Sequence, residues 1–150
     1  MSESQHLQTS TIVDAPIERV FALLADPDRH PDLDGSGTLR ASQTHAILTQ
    51  VGDEFTMDLH ADNLGDYQTR SVVTHYERDR VLGWAPGPVD AKPFGHTFIF
   101  VLEAVTDDRT QVTETYDWSA VTDPQLLASM PLVTAEALTS TLDNLAEALR

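Results

Sequence analysis

The sequence predicts an α+β fold in which a strongly curved antiparallel sheet of six to seven strands wraps around one long C-terminal helix. Four leucines near the C-terminus recur at spacings of four, three and four residues, which is the pattern of one apolar helix face. They are Leu138, Leu142, Leu145 and Leu149. Most of the chain before them alternates between strand-like runs and turns, so a sheet is the natural partner for that face. We therefore expect a helix about 30 Å long over residues 132–150.

The first predicted elements are a strand over residues 6–14 and two short helices. The strand is rich in Thr and β-branched residues. Pro16 favours a helix start, because the first turn of a helix leaves its backbone N–H groups unpaired in any case. Apolar residues then follow at helical spacing, which predicts a helix over residues 16–25 and a second helical turn over residues 28–33.

The middle of the chain is predicted to consist of strands and turns. A turn over residues 34–37 (Asp-Gly-Ser-Gly) precedes the strands, and residues 45–51 are apolar but ambiguous. Three prolines make residues 86–93 the most loop-like segment. The strands are expected over residues 38–43, 54–61, 67–77, 81–85, 94–105 and 110–119.

The last two predicted strands form a hairpin that indicates which face is buried. Its apolar face is formed by alternate residues, namely Phe98, Phe100, Leu102, Val112, Tyr116 and Trp118. The same alternation places His96 and Glu114 on that face. A carboxylate in such surroundings must be paired, protonated, or next to water or a ligand, because burying it alone is too costly.

The bulk composition limits the classes of function. The 150 residues suggest one domain spanning residues 1–150. The formal charge of −15 disfavours nucleic acids and anionic membranes as partners. The chain has no cysteine, no apolar run long enough for membrane insertion and no signal-peptide pattern, so we expect a cytoplasmic protein.

A cluster of Asp28, His30, Asp32 and Asp34 invites a metal hypothesis, which the spacing does not support. In a calcium-loop alignment, His30 and Ala41 fall where acidic ligands are required. Turn and helix-cap chemistry explains these residues better, and for His30 a surface or capping position is favoured over one at a cavity mouth. We expect no metal and no cofactor. Residues 35–37 also lack the spacing of a nucleophile elbow or a phosphate loop.

Five features of the chain resemble one superfamily: residues 13–21, residues 26–37, residues 51–57, Trp84 and the Leu-rich final helix. Together they resemble the START-like, or SRPBCC, helix-grip superfamily, and within it small bacterial proteins of the polyketide cyclase/dehydrase type. The resemblance covers nearly the whole chain. It implies a deep apolar cavity between the sheet and the last helix, without implying a universal catalytic residue.

The leading hypothesis is binding of a hydrophobic or aromatic small molecule, lipid- or polyketide-like, in that cavity. Glu114 and His96 would select ligands by their polar groups. Arg70 would do the same if it faces the cavity, but the sequence pattern of its strand does not show which way it faces. The expected ligand-binding residues are Phe55, Met57, Leu59, Trp84, His96, Phe98, Phe100, Glu114, Tyr116, Trp118, Met130 and Leu138.

Two alternatives remain open from the sequence. The first is a polyketide cyclase or dehydratase-type enzyme that uses Glu114 and His96 as an acid–base pair. The second is a protein-interaction module whose acidic surface meets a basic partner. The sequence carries no interface signal, so it leaves the oligomeric state open.

Overall fold

A computed structural model describes residues 5–150, which form an open seven-stranded antiparallel sheet and a C-terminal helix, consistent with the helix-grip architecture. The strand order across the sheet is β1-β7-β6-β5-β4-β3-β2. The first strand therefore pairs with the last one. The strands are β1 (His6–Val13), β2 (Leu39–Ser42), β3 (Glu54–Ala61), β4 (Gly65–Glu77), β5 (Val81–Gly87), β6 (Thr97–Thr106) and β7 (Arg109–Asp117).

Four α-helices and one 3-10 turn accompany the sheet. They are α1 (Ile17–Leu24), the 3-10 turn (Pro27–Arg29), α2 (His30–Leu33), α3 (Pro124–Ala128) and α4 (Ala135–Ala148). Side chains cap several of their first turns, as short polar residues before helices predict. Asp26 accepts a hydrogen bond from the N–H of Asp28 at 3.1 Å, and Asp123 accepts one from Gln125 at 3.0 Å. Among the helices of residues 5–150, none is long and apolar enough to cross a membrane.

The final helix is shorter than the sequence predicts. It begins at Ala135 rather than at residue 132, because Thr134 acts as its N-cap and accepts a hydrogen bond from the N–H of Ala137 at 3.1 Å. Its 14 residues span about 21 Å at about 1.5 Å per residue. The predicted leucine stripe is nonetheless buried, with Leu138, Leu142 and Leu145 at most 1% exposed.

Two further boundaries differ from the sequence prediction. Strand β5 continues to Gly87, and β6 begins at Thr97 rather than at residue 94. Gly95 explains the later start, because its φ of +117° is incompatible with a regular strand and a Cβ at this position would lie 2.9 Å from the carbonyl oxygen of Ala120. The ambiguous segment 45–51 is not a strand. It inserts Leu48, which is 2% exposed, into the core.

The turn over residues 34–37 docks directly onto α4. The N–H of Gly35 donates a hydrogen bond to Thr141 Oγ1 at 2.9 Å, and Asn144 Nδ2 donates one to the carbonyl of Leu33 at 3.2 Å. A Cβ at position 35 would lie 2.2 Å from the carbonyl oxygen of Ala137. Glycine is therefore required at this contact, since any side chain would push the turn off the helix.

We predict that Gly35→Ala lowers the free energy of unfolding by about 3 kcal/mol, toward the upper end of overpacking costs. The matched control is Gly37→Ala, two residues away. Gly37 has open space around it but a φ of +78°, so this change should cost only about 1 kcal/mol of backbone strain. Urea denaturation of both variants measures the difference. A loss at position 35 no larger than that at position 37 would contradict the docking contact.

Candidate ligand-binding site

A cavity of about 700 Å³ lies between the inner face of the sheet and α4. Leu138, Thr141 and Leu145 of α4 form one wall, and alternate residues of β3 to β7 form the opposite one. Helix α2 and the turn after it contribute His30, Leu33 and Asp34 to the lining. The result is a mostly apolar chamber with a small number of polar side chains.

Aromatic rings build the wall formed by the central strands. Trp84 on β5 stacks on Phe100 of β6 with ring centroids 5.5 Å apart, and on His30 of α2 with centroids 4.9 Å apart. Phe55 of β3 meets the Trp84 ring edge-on at 5.5 Å. These rings are held by one another, so they present a preformed aromatic surface to the cavity.

A second aromatic group lies further along the hairpin of β6 and β7. Phe98 stacks on Tyr116 with centroids 4.7 Å apart, and His96 contacts Tyr116 at 5.5 Å. Phe94 stacks on His96 at 5.8 Å, which extends the group toward the surface. All four side chains line the cavity.

Glu114 is the main polar feature of the interior. It lies on β7 between Phe100 of β6 and Thr9 of β1, and it is 3% exposed. Its Oε1 atom has no hydrogen-bond partner among the described residues. Burial, with a further contribution from the negative charge of Asp34, raises the pKa of Glu114 to about 8. At neutral pH this side chain is therefore mainly a neutral carboxylic acid.

Asp34 is the second carboxyl group along the cavity, and the turn holds it firmly. Its carboxylate accepts backbone hydrogen bonds from Ser36 at 3.0 Å, Thr38 at 3.1 Å and Leu39 at 3.0 Å. The Ser36 hydroxyl donates a further bond at 2.7 Å. Sequence reasoning assigned Asp34 only to a turn, because its proximity to Glu114 depends on the docking of that turn onto α4.

The structure separates His96 from Glu114. In the β6–β7 register Glu114 lies opposite Phe100, four residues from His96, which is about 13 Å along a strand. The stacked Phe98–Tyr116 pair lies between them, and no hydrogen bond joins the two side chains within the described chain. Burial lowers the pKa of His96 to about 4, so the ring is neutral. The proposed Glu114–His96 acid–base pair is therefore not formed in this structure.

Most of the residues expected to bind ligand lie along the cavity: Phe55, Met57, Leu59, Trp84, His96, Phe98, Phe100, Glu114, Tyr116 and Leu138. Trp118 and Met130 do not. Trp118 is buried in a side cluster with Val121, and the Met130 sulfur accepts a hydrogen bond from the Tyr116 hydroxyl at 3.4 Å. Both residues contact Tyr116, which does line the cavity.

Arg70 lies on the outer face of β4, which settles a point that the sequence left open. Buried Ser71 and Val73 fix the inward phase of the strand. The guanidinium of Arg70 donates to the carbonyl of Ala91 at 3.1 Å and lies 3.8 Å from Glu54. It does not line the cavity, so it cannot anchor a ligand carboxylate there.

The sequence favoured a surface or capping position for His30 over one at a cavity mouth, but the side chain is buried and lines the cavity. It is 6% exposed, and its Nε2–H donates to the carbonyl of Leu24 at 2.7 Å. Burial lowers the pKa of this ring. Inner residues of β4, namely Tyr67, Thr69 and Ser71, also line the cavity. The phase of that strand would have identified them, but the sequence did not determine it.

We predict that wild-type stability falls with rising pH relative to the Glu114→Gln variant. The pKa of Glu114 is about 8 in the folded chain and 4.5 without its surroundings. The stability linked to its protonated form is therefore complete below pH 4.5 and is lost as pH rises through 8. Between pH 6.5 and 8 the loss should be about 1.5 kcal/mol, at about 1.4 kcal/mol per unit well below the pKa.

Urea denaturation of both proteins across that range measures the effect. Burial lowers the pKa of His30 and of His96, but both residues are present in both proteins, so their contribution to the pH dependence cancels in the comparison. If the free energy of unfolding changes with pH in the same way for wild type and Glu114→Gln, Glu114 is not buried as a neutral acid.

Comparisons with known proteins agree with this geometry. Rv0088 of Mycobacterium tuberculosis is 34% identical over 111 residues, which are 74% of this chain and 46% of that protein, so the chain spans about half its length. Among solved structures, Ms6760 of Mycobacterium smegmatis has a TM-score of 0.70 at 16% identity, covering 97% of this chain and 91% of its own. A protein of Arthrobacter aurescens has a TM-score of 0.72 at 18% identity, with coverages of 97% and 86%.

At these identities the solved structures establish the fold alone. The family comparison goes further, because one family model matches residues 4–150, nearly the whole chain. That family is described as "Polyketide cyclase / dehydrase and lipid transport". The chain belongs to this family.

Proposed function

We propose that the protein binds a hydrophobic small molecule, lipid- or polyketide-like, in the cavity between the sheet and α4. The observation that carries this proposal is a chamber of about 700 Å³ with a mostly apolar lining and one buried, unpartnered carboxyl oxygen on Glu114. Ligand sites typically have volumes of roughly 300–1,000 Å³ and a few well-placed polar groups in an apolar wall. The family's description, which names lipid transport, points in the same direction.

The rim of the cavity supports entry of an apolar ligand. Leu64, Phe94 and Leu132 line the cavity and are 65%, 39% and 53% exposed. They come from the β3–β4 turn, the segment before β6 and the segment before α4, so they surround the opening from different sides. An apolar rim allows a hydrophobic molecule to leave water before its polar group reaches Glu114.

We predict that filling the cavity weakens binding. Thr69→Trp places an indole on the inner face of β4, where Thr69 lines the cavity. Val72→Trp is the matched control, because Val72 lies on the opposite face of the same strand, between buried Ser71 and Val73. Titration with Nile red, a neutral apolar dye, should give saturable one-to-one binding to wild type and to Val72→Trp.

Thr69→Trp should weaken the dye's Kd by about tenfold or more, equivalent to about 1.4 kcal/mol. Circular dichroism of each variant shows whether the fold is retained. Absence of saturable binding to wild type, or equal affinity in the two variants, would refute the cavity as the binding site.

An enzymatic function is the second candidate, and one observation favours it. Glu114 is an acid whose pKa is raised by burial and by the charge of Asp34, and both carboxyl groups line the same cavity. Such a pair resembles the arrangement in which one neutral acid donates a proton while a second carboxylate stays charged. Ring closure or dehydration of a polyketide-like substrate would place a carbonyl or hydroxyl oxygen at Glu114 for protonation.

If the protein is such an enzyme, its rate should fall on the alkaline side with an apparent pKa near that of Glu114, about 8. Glu114→Gln should lower turnover by about 10²- to 10⁴-fold, the usual contribution of a general acid. Mass spectrometry of a poly-β-ketone thioester incubated with protein detects the loss of water, and ultraviolet absorbance detects the aromatic ring that closure and dehydration form. Turnover that Glu114→Gln leaves unchanged would remove Glu114 from the mechanism.

A further inference from the structure

The charges that line the cavity are unusually one-sided. Among the lining residues of the described chain, none is a lysine or an arginine. The titratable side chains in the lining are His30, Asp34, Tyr67, His96, Glu114 and Tyr116. Asp34 and Glu114 are therefore the carboxyl groups that can bring negative charge into the cavity, and no lysine or arginine of this lining balances them.

A ligand with a carboxylate or phosphate head would meet no cation in this lining. Both buried histidines are neutral, since burial lowers the pKa of His30 and of His96. An anionic head would also be repelled by the charge of Asp34, and the apolar walls of the cavity weaken that repulsion less than bulk water does. The site is therefore poorly suited to fatty acids and to anionic phospholipids.

A positively charged group would find three favourable features at once. The unpartnered Oε1 of Glu114 can accept a hydrogen bond from such a group, and Asp34 places a negative charge along the same cavity. Glu114 also lies opposite Phe100, whose ring stacks on Trp84. Aromatic faces attract cations within a few ångströms of the ring.

Resting on the proposed function, we infer that the cavity selects hydrophobic amines, with the ammonium group at Glu114 and the apolar part against the aromatic wall. Binding then follows a balanced exchange: neutral Glu114 and the ammonium form a carboxylate–ammonium pair, and the acid proton leaves to solvent. Asp34 keeps its hydrogen bonds to the turn throughout, so its charge supports the pair without moving.

Three chain-matched ligands test this inference: n-decylamine, 1-decanol and decanoate, each displacing Nile red from the full chain at pH 7. We expect decylamine to bind at least about tenfold more tightly than decanol, and decanoate to bind most weakly. Calorimetry in two buffers of different ionisation enthalpy should show proton release with decylamine and none with decanol. Glu114→Gln should reduce the amine preference to about threefold or less, whereas Glu103→Gln, which makes the same carboxylate-to-amide change on the exposed face of β6 outside the cavity, should retain it.

The outcomes distinguish this inference from the proposed function. If decanol displaces the dye but decylamine binds no more tightly, or decanoate binds most tightly, selection of amines is refuted while hydrophobic binding stands. If Glu114→Gln keeps the full amine preference, Glu114 is not the anchoring group. If neither Nile red nor decanol binds wild type, the proposed function fails and this inference fails with it.

Discussion

The limited coverage of the sheet by α4 is the constraint on which the rest of this structure depends. Seven strands at about 4.8 Å spacing make a sheet roughly 30 Å wide, whereas one helix covers about 10 Å of it. Helix α4 packs most closely on β1, at one edge of the sheet, and it is braced by α2. The inner faces of β3 to β5 therefore carry large apolar side chains that α4 does not cover. Helix α2 reaches Trp84 through His30, and the space left between the sheet and α4 is the cavity.

The turn that clamps α4 also determines the chemistry of that cavity. Gly35 allows the turn to touch the helix backbone, and this contact fixes Asp34 at the cavity wall. The charge of Asp34 then acts on Glu114, which burial already holds in its neutral form. The packing of Gly35 on α4 and the effect of the Asp34 charge on Glu114 are thus linked, because Asp34 and Gly35 are adjacent in the chain. Fold stability and ligand selection should share this dependence on Gly35.

The sequence predicted the parts of the fold that depend on local periodicity. Alternation in the last hairpin placed Glu114 and His96 inward, and both are buried. Features that depend on tertiary contacts were missed. Burial of His30 requires α2 to pack against Trp84, and the separation of His96 from Glu114 follows from strand register rather than from facing. The position of Arg70 depended on a strand phase that only the burial of its neighbours reveals.

The most direct test of this account is a carbon-13 NMR titration of the Glu114 side-chain carboxyl in the ligand-free protein, assigned by comparison with Glu114→Gln. The account predicts a protonated carboxyl at neutral pH that titrates with a pKa of about 8. A carboxyl that titrates near the ordinary value of 4.5 would show that Glu114 is solvated or paired. The cavity would then lack the buried acid on which ligand selection and acid catalysis both rest.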